Sequence, residues 1–213
     1  MAPDPGRTVA VLVVIFTVRD GELQVLLIKR SAEPFKDAWS LPGGRLTEGS
    51  SLLEAATRRL EIETGLKDVF LEQLYTFSDL DDQGSIVVAY WALVDPASAT
   101  LARRDEWQPD WHPAAVLPDL AFHNDRVIDL AAARLRNKLA YSNVTYSLLP
   151  EEFTLSQLQQ AYEAILSLQL DKRNFRKRIT TLGILEPTGK RASVGRHRPA
   201  QLYRFRERRP VVF

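Results

Sequence analysis

The chain has 213 residues, 45% of them hydrophobic, enough for one large domain or two small ones around a real core. It has no cysteine, which excludes disulfides and thiolate metal sites and fits a reducing compartment. Net charge is +1, but residues 1–150 hold 15 Lys and Arg against 21 Asp and Glu, and residues 151–213 hold 13 against 6, so an acidic body precedes a basic end.

The opening MAPDPGRTVAVLVVIF carries one Arg ahead of its apolar run and no small-residue cleavage site after it, so it reads as a strand rather than a signal peptide. No apolar stretch reaches the roughly 18 residues of a membrane span. The expectation is a soluble, cytoplasmic protein with no membrane partner. TVAVLVVIFTV (8–18) and LQVLLIKR (23–30) flank an Asp-Gly turn and predict a β-hairpin. LLEAATRRLEIETG (52–65) predicts a helix ending on Gly. KDVFLEQLYTFSDL (67–80) and SIVVAYWALV (85–94) predict two further strands joined by the turn DDQG. WQPDWHPAAVLPDLAF (107–122), punctuated by Pro, predicts irregular chain with His112 in a bend. HNDRVIDLAAARLRNKLAY (123–141) predicts a helix with Val127, Leu130, Ala131, Leu135 and Leu139 on its apolar face and His123 packing or capping at its start.

A boundary is expected near YSNVTYSLLPEE (141–152), giving domains 1–148 and 149–213. FTLSQLQQAYEAIL (153–166) predicts a helix capped by Thr154 or Ser156. After SLQL, DKRNFRKRITTLG (171–183) predicts a second helix, capped by Asp171 and stopped by Gly183. ILEPTGKRASVGRHRPAQLYRF (184–205) then reads as strand, Gly- and Arg-rich loop, strand. Helix, turn, helix and β-wing form the grammar of a winged helix-turn-helix.

Within GGRLTEGSSLLEAATRRLEIETGL (43–66), the spacing of Gly44, Arg58, Leu60, Glu63, Gly65 and Leu66, preceded by Trp39 and LPGG, resembles the Nudix box. That resemblance implies an α+β fold, a Nudix-like α/β/α sandwich with a mixed sheet. It also implies divalent metal held by carboxylates on one helix face, acting on a nucleotide diphosphate. The chain departs from the pattern at the acids. Ser50 stands for the first Glu, Arg59 for the Glu after Arg58, and Ile62 for the first of the paired Glu; Glu63 alone is kept. One carboxylate holds Mg²⁺ poorly, and Arg59 at a ligand position opposes metal further. Glu61 points about 100° away, leaving Glu54, two turns back, as a weak substitute. The reading is a site that binds a nucleotide diphosphate without cutting it efficiently, with slow residual turnover left open by Glu63: no catalytic residue, no metal ligand, no required cofactor.

In the helix 171–183, Phe175, Ile179 and Leu182 recur on one side. The other side carries Arg173, Asn174, Lys177, Thr180 and Thr181, flanked by Lys172, Arg176 and Arg178. Such a face suits a DNA major groove, where Arg pairs with guanine, Asn with adenine, and Lys grips phosphate. The wing adds Lys190, Arg191, Arg196, His197 and Arg198.

WSLPGG (39–44), AFHNDRVIDLAAARLRNKL (121–139), LLPEEFTLSQLQQAYEAIL (148–166) and LDKRNFRKRI (170–179) together resemble the Nudix-related transcriptional regulators of NAD metabolism, the NrtR family. The resemblance implies a homodimeric repressor of NAD biosynthesis or salvage genes, released from double-stranded operator DNA by ADP-ribose or a related NAD-derived nucleotide. His123-Asn124 stands where such regulators carry Asp-His. The ligand is expected near Arg30, Trp39, Gly43, Gly44, Arg45, Arg58, Arg59 and Glu63. The alternatives are an active Nudix hydrolase, an ADP-ribose pyrophosphatase with a basic accessory domain, or a structural module with an acidic protein partner.

Overall fold

The computed structural model describes residues 8–80, 84–97, 99–102, 107–192 and 199–213. Turn residues 81–83 and the expected wing residues Arg196, His197 and Arg198 lie outside them. β1 (Val9–Arg19) and β2 (Glu22–Lys29) flank the expected turn, where Asp20 and Gly21 both take positive φ, 52° and 79°. That pair of left-handed residues matches the right-handed twist of the strands it joins. β3 (Trp39–Ser40), β4 (Gly43–Arg45), β5 (Glu72–Phe77), β6 (Ile86–Leu93) and β7 (Gln108–Pro113) complete a seven-stranded sheet. Its order is β3-β2-β1-β6-β5, with β4 beside β1 and β7 beside β2. β1 and β6 run parallel, from Val9 opposite Ile86 to Phe16 opposite Leu93, and the sheet is mixed as expected.

Val13, Val14, Ile15 and Phe16 are all fully buried, so β1 has both faces covered and reads as a continuous apolar run. On one face Val11, Val13, Ile15, Leu26, Val88 and Tyr90 cluster with Ala55, Ala56 and Leu60 of helix α1 (Leu52–Thr64). Ser51 caps α1 and Glu54 returns the bond, donor and acceptor satisfied at both ends of a capping box. Glu54 is exposed, and its carboxylate is engaged by Ser51 in this box. Gly65 ends the helix at φ 80°, where a Cβ would sit 2.6 Å from that of Ala102.

Four expectations are corrected. Residues 107–122 are not irregular throughout: QPDWHP forms β7, in register from Gln24–Pro113 to Lys29–Gln108. Among the described residues β7 pairs β2 alone, and a missing N–H is tolerated on such an edge. His112 is therefore a strand residue opposite Val25, not part of a bend. The strand expected over 67–80 is confined to Glu72–Phe77. A 3-10 turn at Ala121–His123, with Phe122 and His123 at φ 56° and 50°, leads into helix α2 (Asn124–Lys138). Val127, Ala131, Leu135 and Leu139 are buried as expected, while Ile128 rather than Leu130 joins them.

By compactness the chain divides into Met1–Phe16, Gln24–Val94 and Ala99–Ala131 in one unit, and Thr17–Leu23, Asp95–Ser98 and Ala132–Phe213 in the other. In the second unit, helices α3 (Leu155–Leu166) and α4 (Lys172–Thr181) precede the strands β9 (Leu185–Ala192) and β10 (Ala200–Phe205), and a short β8 (Phe153–Thr154) pairs β10. Thr154, not Ser156, caps α3 through a box with Gln157, and Asp171 caps α4 through Asn174 N–H. The core holds Phe153 against Phe205 and Tyr162 against Phe175, with ring centroids 5.1 and 5.2 Å apart.

The chain end folds back on this unit. The Asn143 amide donates to the carbonyls of Glu207 and Arg209 (both 3.0 Å) and accepts from Val211 N–H (2.8 Å). Arg208 donates to the carbonyls of Leu149 and Pro150. Asn143→Ala removes three bonds from a buried amide at once. The expected loss is about 1–3 kcal/mol of stability, with faster tryptic cleavage after Arg206 and Arg208, read by thermal melts and timed digestion.

Candidate ligand site and nucleic-acid interface

The Gly43–Arg45 strand crosses close to β1: a Cβ on Gly43 would stand 2.2 Å from the Val11 carbonyl oxygen, so only Gly fits. This approach places Gly43 N–H on Glu63 of α1, donating to Oε2 at 2.8 Å. The Glu63 side chain is fully buried. Its other oxygen, Oε1, has no hydrogen-bond partner among the described residues; Arg59 Nη1 stands 3.6 Å away, an electrostatic contact rather than a hydrogen bond. One helical turn separates the two, i to i+4, so both project from the same face. The Arg59 head lies against Gly44, whose Cα would need a Cβ only 2.9 Å from the guanidinium carbon. Burial raises the Glu63 carboxyl to about 7, against the opposing pulls of Gly43 N–H, Arg59 and Arg30.

Arg30 follows β2 and donates Nε to the Pro34 carbonyl at 2.9 Å, with its guanidinium 4.8 Å from the Phe122 ring centre. Burial lowers the basicity of Arg30, while Glu63 and Glu33 oppose that shift. Arg30, Gly43, Gly44, Arg59 and Glu63 thus form one electrostatic group.

Since Glu63 has a raised pKa, its neutral form is the one the fold favours. Its contribution is complete below the ordinary carboxylate range, near 4.5, and is lost as pH rises through about 7. Glu63→Gln should therefore melt higher than the parent at pH 8, by about 3 kcal/mol, with the gap closing toward pH 4.5. Equal gaps at both pH values would contradict the burial argument.

On α4, Phe175 and Ile179 are buried, and Leu182 just beyond it is half-buried. Lys172, Arg173, Asn174, Lys177, Thr180 and Thr181 are exposed, so the two sides separate as the sequence predicts. The hydroxyls of Thr180 and Thr181 donate to the carbonyls of Arg176 and Lys177, leaving their methyl groups for contact. Arg176 is half-buried with Nη2 3.5 Å from Ser156 Oγ, and Arg178 reaches the Leu139 carbonyl at 3.5 Å. Both flank the face rather than form its centre. Lys190 on β9 pairs with Glu152 at 3.0 Å, and Arg191 is exposed opposite Gln201.

A NUDIX domain family model matches residues 6–131, and one described as the NrtR DNA-binding winged helix domain matches residues 145–205. A protein of Acinetobacter baylyi described as an ADPR responsive transcriptional repressor, NtrR, is 38% identical over 208 residues, covering 94% of this chain and 83% of its own length. The chain belongs to the NrtR family. The crystal structure of Shewanella oneidensis NrtR complexed with a 27mer DNA matches at TM-score 0.80 and 34% identity, with 93% of each chain covered. The cocrystal structure of the NUDIX domain of that NrtR with ADP ribose matches at TM-score 0.54 and 33% identity, over 63% of this chain and 94% of that one.

The Nudix part of this NrtR chain carries a fold that elsewhere implies a divalent cation, and the donor set here does not suit one. Its retained acid, Glu63, is buried, bound to Gly43 N–H, and drawn toward a fixed guanidinium in the place of a second acid. Among the described residues no three His, Asp or Glu side chains gather as a metal set. Trp39 stacks edge-on against His112 at 4.3 Å, and burial holds His112 below its ordinary pKa. Arg45 and Arg58 are exposed, and no hydrogen bond or ion pair among the described residues ties either to Glu63. The sequence carries no sign of Phe35 or Phe122 beside Arg30, and His112 reads from it only as a bend residue. Phe35 and Phe122 meet edge to face at 4.8 Å beside Arg30, and Phe35 is half exposed. Two aromatics 87 positions apart carry no local pattern that pairs them. Asn124 is fully buried and accepts Leu41 N–H at 2.8 Å, fixing the start of the LPGG segment; His123 beside it is exposed.

Proposed function

We propose that this chain is a repressor of NAD biosynthesis or salvage genes, acting in the cytoplasm as a homodimer and responding to ADP-ribose or a related NAD-derived nucleotide. The domain boundary near residue 148 belongs to the same reading: residues 1–148 hold the nucleotide and residues 149–213 hold operator DNA. The observation that carries it is Arg59 lodged between Gly44 and Glu63, where a cleaving enzyme needs a carboxylate. A fixed cation at that point attracts a diphosphate and repels a divalent metal, which favours retention over cleavage.

Arg59 and Arg30 meet the diphosphate, with Gly43, Gly44 and Arg45 along its path, Arg58 at the rim and Trp39 beside a ring of the nucleotide. Glu63 keeps Arg59 in position. α4 enters the major groove with Arg173 and Asn174 toward the bases. Lys172, Arg176, Lys177, Arg178 and the wing residues Lys190 and Arg191 lie toward the backbone, Thr180 and Thr181 offer methyl contacts, and the sequence-predicted Arg196, His197 and Arg198 fall outside the described residues. Effector and DNA are linked: if ADP-ribose weakens DNA binding by some factor, DNA weakens ADP-ribose binding by the same factor. The support is the winged-helix match, the repressor relative and the separation of charge from core on α4. Among the described residues no helix is long and apolar enough to cross a membrane.

The test is a mobility-shift assay on the chain's own upstream region, with and without ADP-ribose. A shift that ADP-ribose reverses supports the reading. Rapid Mg²⁺-dependent release of AMP with no shift at moderate salt refutes it in favour of a hydrolase.

A further inference from the structure

The turn between α3 and α4 spans residues 167–171, and two side chains of α3 close over it. Glu163 Oε1 accepts Leu170 N–H at 2.9 Å and the Gln159 amide at 2.9 Å. The same Gln159 nitrogen donates to the Leu170 carbonyl, also at 2.9 Å. Both backbone groups of Leu170 are therefore held by α3. The Glu163 carbonyl also accepts Ser167 N–H, with Ser167 in the left-handed conformation at φ 55°, and Leu168 N–H at 3.3 Å. The next residue, Asp171, is the cap of α4. These bonds lower the Glu163 carboxyl below its ordinary range, the Leu170 N–H first and the Gln159 amide second, so it is ionised at neutral pH.

We propose that Glu163 and Gln159 are positioning residues for DNA recognition, a clip on Leu170 that sets the direction in which α4 leaves the turn. The inference rests on the reading of α4 as the helix that enters the groove. A groove-reading helix discriminates bases only when its side chains are held within a fraction of an ångström. SLQLD has neither Gly nor Pro; Ser167 and Asp171 shape its two ends, and the clip constrains Leu170 between them. Glu163 is also an acid in a strongly basic unit. If it were only a surface charge, removing it would strengthen attraction to DNA phosphates. The clip predicts the opposite sign.

The experiment compares full-length parent, Glu163→Ala, Glu163→Gln and Gln159→Ala on a duplex from the chain's own upstream region and on an unrelated duplex of equal length. Thermal melts and hydrogen exchange at the Leu170 amide are recorded alongside. Glu163→Gln loses the charge but keeps an acceptor for Leu170 N–H; Glu163→Ala loses both. Expected is an approximately tenfold to hundredfold loss of specific binding for Glu163→Ala, with recovery to near the parent in Glu163→Gln. Gln159→Ala should fall between them, binding to the unrelated duplex should be unchanged in Gln159→Ala and unchanged or slightly tighter in the two Glu163 variants, which lose an acid, and Leu170 should exchange faster in Glu163→Ala. Binding by Glu163→Ala equal to or tighter than the parent overturns the proposal, as does Glu163→Gln as weak as Glu163→Ala. Failure of the function reading is seen separately, in the parent alone: no preference for the upstream duplex removes the groove-reading role and the proposal with it.

Discussion

Arg173→Ala combined with Lys177→Ala should abolish operator binding while leaving the melt and ADP-ribose affinity unchanged. The two side chains are exposed one helical turn apart on α4, on the side away from Phe175 and Ile179. A bidentate Arg on guanine is worth about 1–3 kcal/mol, and a Lys lost from a phosphate removes roughly one counterion from the salt slope. In a symmetric dimer each loss occurs twice, so the combined effect is on the order of a thousandfold or more. The measurement is a titration at several salt concentrations. Arg173→Ala alone should relax base preference, and Lys177→Ala alone should weaken all duplexes alike and flatten the salt dependence. Undiminished operator binding by the double variant would show that α4 is not the reading helix.

Arg59→Ala should weaken ADP-ribose binding by about tenfold to hundredfold, the range for a charge-assisted hydrogen bond. It should also leave Glu63 buried beside an empty space, so melts must accompany the calorimetric titration. Arg58→Ala provides the contrast. That side chain is exposed, its charge is screened by solvent, and its loss should matter less. Unchanged affinity in Arg59→Ala would move the diphosphate elsewhere and remove the main support for a metal-free site.

The α helices were legible because their signals are local. Gly65, Thr154, Asp171 and Gly183 mark ends that the structure places within a residue or two of expectation. The basic face of α4 followed from helical geometry alone. β7 was not legible: two prolines suggest a loop, and only pairing with β2, more than 80 positions earlier, makes the segment a strand. The same holds within the ligand site. Arg59 and Glu63 share a helix and were found by spacing. Phe122, set against Arg30 by a left-handed turn, depends on contacts that no short stretch encodes. The bond from Glu54 to Ser51, three positions away, is local in the same way as the helix ends.

The guanidinium beside Glu63 also bears on descent. A mutation returning glutamate to position 59 would set two carboxylates side by side on the buried flank of α1 with their counter-ion gone, and neighbouring acids in such surroundings resist ionising together. The revertant would be a weaker fold before positions 50 and 62 regained their acids and metal could compensate. An acid at position 59 alone thus loses the counter-ion of Glu63 before any metal can replace it, so the site cannot be converted one residue at a time without a cost in stability.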